Sequence, residues 1–450
     1  MLRPILMSAS LIALTACTTS LAPQSPVSEH ELTLPEAYDY VGEVEAIGTS
    51  DGAWWERFET DRLDALVARA LAENQTLAQG LANIRAARAS LAIANAAFLP
   101  QASGSLSAGS NTEGDGLTDV DVSGRLSASY QLDLFGANEA SREAAAASLD
   151  AAIFSQRALE LTVQADVASN YFALLAAREQ LEVARQTLEI SERIFEIVQV
   201  RYKAGAISGF DVSAQRAQLA NARARIPQIE AQITGLETAL AILTGQVPQG
   251  FVVPDENILD VGLPEADPGL PSDLLLRRPD LMQSEANLRG ANANIRASRA
   301  AFFPTIDLGA GLSSLLTGGS NLTGSLSAGL AQTIFSGGRL DAQLEASEAR
   351  RDAQLAAYRQ SILNALRDVD VSLKSIEANA AREAQLEIAQ SAAADALEAA
   401  ELRYRAGSDD LTSLLNAQQT FFDAANNLVQ VRLDRLTSAI NLYVALGGEY

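Results

Sequence analysis

Three short segments of the chain recur in the same order, some two hundred residues further on. Ala82-Asn83-Ile84-Arg85-Ala86 returns as Ala293-Asn294-Ile295-Arg296-Ala297, and Ala97-Phe98-Leu99-Pro100 as Ala301-Phe302-Phe303-Pro304. Arg201-Tyr202-Lys203-Ala204-Gly205 returns as Arg403-Tyr404-Arg405-Ala406-Gly407. The offsets fall from 211 to 204 to 202. The first drop is about two helical turns, so the longer copy extends a helix without rotating its apolar face. A period this long implies two copies of one supersecondary unit rather than a short-repeat solenoid.

Each copy begins with helix, turns into two strands and returns to very long helix. Leu63 to Phe98 reads as helical and Pro100 stops it. From Val120 to Leu134 alternation is strict, with Val120, Val122, Leu126, Ala128, Tyr130 and Leu132 on one side and Asp121, Ser123, Arg125, Ser127, Ser129 and Gln131 on the other. Gln101 to Ser110 alternates more weakly, and Asn111 to Gly116 reads as the loop of a hairpin over about 101–134. The second copy repeats the plan with a hairpin over about 305–335. Strands of this length with one small or polar face fit a transmembrane β-barrel with a wet lumen. A soluble sheet edge packed on helices would give the same alternation. In lipid, four strands leave forbidden open edges, and such barrels need at least about eight, so the barrel reading demands an oligomer.

The N-terminus favours the barrel. Arg3 precedes a short apolar run, Ile5 to Leu14, followed by Leu14-Thr15-Ala16-Cys17. The run is far shorter than the roughly 20 apolar residues that span a bilayer. The layout resembles the bacterial lipoprotein signal, which implies cleavage after residue 16 and lipid on Cys17, the only cysteine; Thr18 at the next position implies the outer membrane. An ordinary signal peptide with an incidental cysteine is the alternative. The formal charge of −23 disfavours nucleic acid as a partner, although most of it is accounted for by a soluble acidic surface.

The helices are unusually long. From Asn138 to Lys203 there is neither proline nor glycine, enough for a rod of roughly 100 Å. Leu181, Ala184, Leu188, Ser191, Phe195, Val198 and Tyr202 form a three–four seam, answered by Val212, Gln215, Leu219, Ala222, Ile226, Ile229, Ile233, Leu236, Leu240 and Leu243. Two such seams joined at residues 204–211 predict an antiparallel coiled-coil hairpin, with a kink at Pro227. The second hairpin turns at 406–411. Residues 246–271 hold five of the thirteen prolines and read as an extended connector. The organisation is thus a signal over 1–16, an extended segment over 17–60, repeats over 61–245 and 272–447 flanking that connector, and a tail over 448–450.

Leu270-Pro271-Ser272-Asp273-Leu274-Leu275-Leu276-Arg277-Arg278-Pro279-Asp280-Leu281 resembles the hallmark of TolC-like outer membrane factors, in their lipidated OprM/NodT-type efflux branch. Trp54-Trp55 with Leu63-Asp64-Ala65-Leu66, and the two Arg-Tyr-x-Ala-Gly segments, resemble that family as well. The resemblance implies a mainly α fold with a transmembrane β part. It implies a homotrimer whose twelve-stranded β-barrel continues into a twelve-helix periplasmic α-barrel, with two repeats per chain. Function would be the passive exit duct of a tripartite efflux system for drugs or other small solutes. The partners would be a periplasmic adaptor, an inner-membrane pump of the proton-driven RND type, and outer membrane lipid.

By residue-wise match the adaptor-contacting tips are Arg201, Gly205, Ser208, Asp211 and Val212, with Arg403 and Gly407 in the second hairpin. Gly205 and Gly407 also serve as helix terminators, and the two arginines as partners of helix C-termini. The carboxylate often found in the family's gate is Asn416 here, and the basic residue beyond it is Gln419, which departs from a charge-latched gate. Asp409 and Asp410, nearer the tip, are expected to set selectivity in its place, with solvated surface charge as the competing reading. His30 is the only histidine, and no nucleophile–base pair, phosphate-binding loop, cofactor motif or metal motif is found, so no enzyme is expected. Two other readings stay open: a duct for type I protein secretion, and a non-conducting periplasmic coiled-coil scaffold.

Overall fold

The computed structural model describes residues 53–112, 117–264, 277–317 and 322–448. Cys17, His30, the N-terminal segment to residue 52, the end of the connector and the loops at 113–116 and 318–321 lie outside them. A 3-10 turn, Trp54–Phe58, precedes α1 (Asp61–Glu73), α2 (Gln75–Ala96), β1 (Gln101–Thr112), β2 (Leu117–Leu132), α3 (Ala137–Lys203) and α4 (Gly209–Leu243). The second half supplies α5 (Pro279–Ala300), β3 (Thr305–Leu315), β4 (Leu322–Ala331), α6 (Arg339–Ala406) and α7 (Leu411–Ala445).

The first helix differs from expectation. Asn74 divides the segment read as one helix, because its side chain accepts the N–H groups of Thr76 at 2.8 Å and Leu77 at 3.1 Å. This caps α2, and the same amide donates to the Leu243 carbonyl at 2.8 Å, joining the break to the end of α4. Gly245 makes the close approach possible: its φ is +69°, and a Cβ there would collide with the Glu73 carbonyl.

α3 and α6 run for 67 and 68 residues. At ~1.5 Å per residue each is about 100 Å long. α3 packs along α2, α4, α5 and α7, and α6 packs along α5 and α7. Two partners at its lower end explain why the buried stripe of α3 is wider than one seam. Val183, Thr187, Ile190 and Ile194 are buried beside Leu181, Ala184, Ser191 and Val198. Phe195 is only half-buried and Tyr202 is exposed, contrary to the seam assignment. α4 passes through Pro227 without ending.

The main core joins the two ends of the described chain. Trp54 stacks on Tyr443 with ring centroids 5.6 Å apart and donates its indole N–H to Gln164 at 3.0 Å. Phe58, Leu63, Val67, Tyr171, Phe172 and Leu240 fill the space around them. Residues 246–264 of the connector lie against this core through Val253, Ile258 and Val261, all buried. Two arginines fasten it by its carbonyl groups: Arg178 donates to Val253 at 2.7 Å and Pro254 at 3.1 Å, Arg432 to Val261 at 2.6 Å and Leu259 at 3.1 Å. A connector without a β-ladder needs such donors, since its buried carbonyls would otherwise be left unpaired.

The Arg277-Arg278-Pro279-Asp280 segment is structural. Pro279 opens α5, and Arg278 grips Asp280 with two hydrogen bonds of 3.0 and 2.8 Å. The same guanidinium donates to the Ala445 carbonyl at 3.2 Å, so it ties the start of α5 to the end of α7.

The strands form one antiparallel sheet in the order β1-β2-β3-β4. Apart from a shift at Thr112–Leu117 beside the first hairpin loop, register keeps even-numbered residues opposite even-numbered ones across all four strands, as in Ala102–Ala128, Ala128–Ala310 and Ala310–Leu326. Both faces are therefore continuous from edge to edge.

Candidate functional site: the sheet faces and the helix tips

The even face of the sheet carries Leu106, Val122, Leu126, Leu308, Leu312, Leu326 and Leu330; the odd face carries mainly Ser, Thr, Gly and Gln. The even leucines are exposed in the single chain, Leu326 by 89%. An exposed apolar patch of this extent marks a surface that another apolar phase covers. On the odd face, hydroxyls pair across strands instead, Ser103 with Ser127 at 2.9 Å and Ser107 with Ser123 at 2.8 Å. β1 and β4 are the sheet's outer strands, so each has a row of backbone groups with no strand beside it.

Where strands meet helices, the short connections expose a band of large apolar side chains. Phe135 stacks on Phe303 at 4.8 Å, and Leu99, Leu134, Ile334 and Phe335 stand exposed around them, Ile334 by 96%. Aromatic and aliphatic girdles of this kind border the apolar band of membrane barrels. No helix among the described residues is long and apolar enough to cross a membrane.

At the far end of the long helices the two hairpin tips pack on each other. Ile194, Val198, Leu397, Tyr404, Leu411 and Leu414 make a second buried core there, and Val212 packs against it. Gly205 and Gly407 have φ of +73° and +76° and turn the chain out of α3 and α6. Ser208 and Asp211 form a reciprocal capping box at the start of α4. Asp410 caps α7 by accepting the Ser413 N–H at 2.8 Å, and that bond holds its carboxyl below the usual carboxylate range. Asp409 accepts the N–H of Asp410 at 2.9 Å. Asn416 lies in the second turn of α7 and is exposed.

The two equivalent arginines have different jobs. Arg201 reaches across to the second hairpin, donating to the Tyr404 carbonyl at 2.6 Å while its guanidinium sits 4.6 Å from the centre of the Tyr404 ring. Arg403 is exposed and makes no ion pair among the described residues; its carbonyl instead closes the turn on Ser408 at 3.0 Å. Further up, Arg193 pairs with Glu401 at 3.0 Å, and Arg225 lies 3.9 Å over the Phe422 ring.

Sequence reasoning missed one junction altogether. Ser191 on α3 receives the Gln418 amide of α7 on its hydroxyl and the Gln215 amide of α4 on its carbonyl, the latter at 3.0 Å. All three residues are fully buried. The available signal was two polar residues, Ser191 and Gln215, at seam positions that otherwise want apolar side chains.

A two-faced sheet with open edges at one end, and capped hairpin tips about 100 Å of helix away, is the layout of a channel subunit rather than of a catalyst. The family description "Outer membrane efflux protein" matches residues 66–246 and 270–448. The chain belongs to the outer membrane efflux protein family. It is 35% identical to the pyoverdine export outer membrane protein OpmQ of Pseudomonas aeruginosa, over 98% of this chain and 96% of that one. It is 31% identical to the cation efflux system protein CusC of Escherichia coli, over 97% of this chain and 96% of that one. Among solved structures, the outer-membrane channel OprN superposes with a TM-score of 0.83 at 25% identity, covering 95% of this chain and 99% of that one. This efflux protein is therefore a non-enzymatic channel of the outer membrane, the duct of a tripartite system. Its long helices extend into the periplasm.

Proposed function

We propose that three copies of the chain join β4 of one to β1 of the next. The result is a twelve-stranded barrel in the outer membrane, continuous with a twelve-helix tube. The sheet carries this reading: its even face is apolar and exposed, its odd face is hydroxylated, and both edges are open. β1 and β4 run in opposite directions, so their junction between copies is antiparallel like every other pair in the sheet. Closure removes both edges and turns the hydroxylated face inward, leaving no backbone group unpaired in lipid.

Lipid on Cys17 anchors each chain beside the barrel. Arg201, Gly205, Ser208, Asp211 and Val212, with Arg403 and Gly407, form the surface that meets a periplasmic adaptor, and the adaptor couples the tube to an RND-type pump. The gate lies at Asp409, Asp410 and Asn416, where up to six carboxylates of the trimer favour cations. The cargo is small solutes; the named relatives carry pyoverdine and cations.

Two tests apply. In a strain stripped of other outer membrane ducts, this chain should lower accumulation of a fluorescent pump substrate, and unchanged accumulation would refute the conduit. Cys17→Ala should abolish incorporation of labelled palmitate; undiminished labelling would refute the anchor.

A further inference from the structure

The odd face of the sheet carries few charged residues, and more of them are acidic than basic. Among its described side chains only Asp121, Arg125 and Asp307 are charged. Register places Arg125 in a row with Ser105, Ser313 and Thr323. The rows on either side spend hydroxyls on each other, through Ser103–Ser127 and Ser107–Ser123. The hydroxyls of Ser105, Ser313 and Thr323 make no such bond among the described residues, and Arg125 is exposed with no ion pair among them.

Distance keeps that positive charge effective. Asp121 is four residues along the same strand, ~13 Å at about 3.3 Å per residue. Asp307 sits opposite Gln131, six residues from Arg125, or ~20 Å along the strand. Asp119 lies further toward the loop than Asp121. Charges in water are screened over about 8 Å at physiological salt, so none of these carboxylates neutralises Arg125.

We propose that Arg125 forms a cationic ring in the outer part of the channel that binds polyanionic small solutes, those bearing two or more carboxylate, sulfonate or phosphate groups. The site rests on the trimeric conduit described above, because one chain supplies one arginine. Twelve strands ~4.8 Å apart and tilted ~40° give a backbone diameter of about 24 Å. Three guanidinium groups then face the lumen from a third of the circumference apart. Each offers a planar fork that matches an oxyanion, and neighbouring hydroxyls donate beside it. A lone carboxylate engages one arginine, whereas a polyanion engages several at once and gains by effective concentration. The rest of the chain is strongly acidic, at −23, so the ring supplies the attractive step that anionic cargo otherwise lacks.

The probe is 8-hydroxypyrene-1,3,6-trisulfonate, titrated by fluorescence anisotropy into purified full-length protein at about 150 mM salt, with oligomeric state read by light scattering on the same sample. Expected are one probe per three chains, binding lost at high salt, and at least a tenfold weaker affinity for Arg125→Gln. Arg125→Lys, which keeps the charge and loses the fork, should bind more weakly than the original and more tightly than Arg125→Gln, and Ser313→Asp, which sets a carboxylate beside Arg125, should abolish binding. A trimer that does not bind the probe, or binds it equally well as Arg125→Gln, would overturn the site and leave the conduit standing. A monomeric protein would overturn both.

Discussion

Arg201 links the two hairpins of one chain at their tips, beside the apolar core they share there. Its guanidinium makes a charged hydrogen bond to the Tyr404 carbonyl and lies over the Tyr404 ring. Together these are worth about 2 kcal/mol at a half-buried position. Arg201→Ala should lose about that much stability in chemical denaturation and open the tip to protease. Arg403→Ala, its equivalent in the second repeat, should change neither by a measurable amount. Equal effects of the two would contradict the asymmetry.

Asp410 adds a pH dependence to the same region. Its hydrogen bond with the Ser413 N–H lowers its pKa in the fold, so the cap stabilises α7 at pH values above the ordinary carboxylate pKa of about 3.9. That contribution is lost as pH falls through the lowered value. Asp410→Ala should therefore melt below the unaltered protein at pH 7, and the difference should close under acid. A difference of the same size at every pH down to strong acid would mean that the ionised carboxylate is not what caps the helix.

At the scale of elements, the two sheet faces should respond oppositely to the same substitution. An arginine on the lipid side of a barrel costs about 2–4 kcal/mol near the midplane, and little on the lumen side. Leu326→Arg should thus depress folding into liposomes strongly, whereas Ser327→Arg, one residue on and facing the other way, should be tolerated. Comparable losses would mean that the faces are not separated by lipid and water.

Much of this level was legible in the sequence because period two and period 3.6 are strong signals: the alternation after Val120 and the glycine-free run to Lys203 correspond to β2 and α3. Asn74 was not legible as a break, since its amide is recruited by a carbonyl 169 residues away. Nor was the width of the α3 stripe, which depends on α7 packing beside α4. At the tips the role of Gly205 and Gly407 as helix terminators was legible, while the reach of Arg201 to Tyr404 required two repeats to be brought side by side.

For the whole molecule, the repeat explains why one chain builds both a wall segment and a tube segment. Each copy contributes one strand pair and one long hairpin, and neither pair alone removes an edge from the membrane. The connector, held by Arg178 and Arg432 against the core around Trp54 and Tyr443, fixes the two copies to each other midway along. Closure between chains is then the step on which conduction depends. Single-particle imaging of the purified full-length protein in detergent tests it most directly. The account predicts a hollow tube of three-fold symmetry with twelve strands at one end and hairpin tips at the other. Isolated monomers, or solid rods without a lumen, would contradict it.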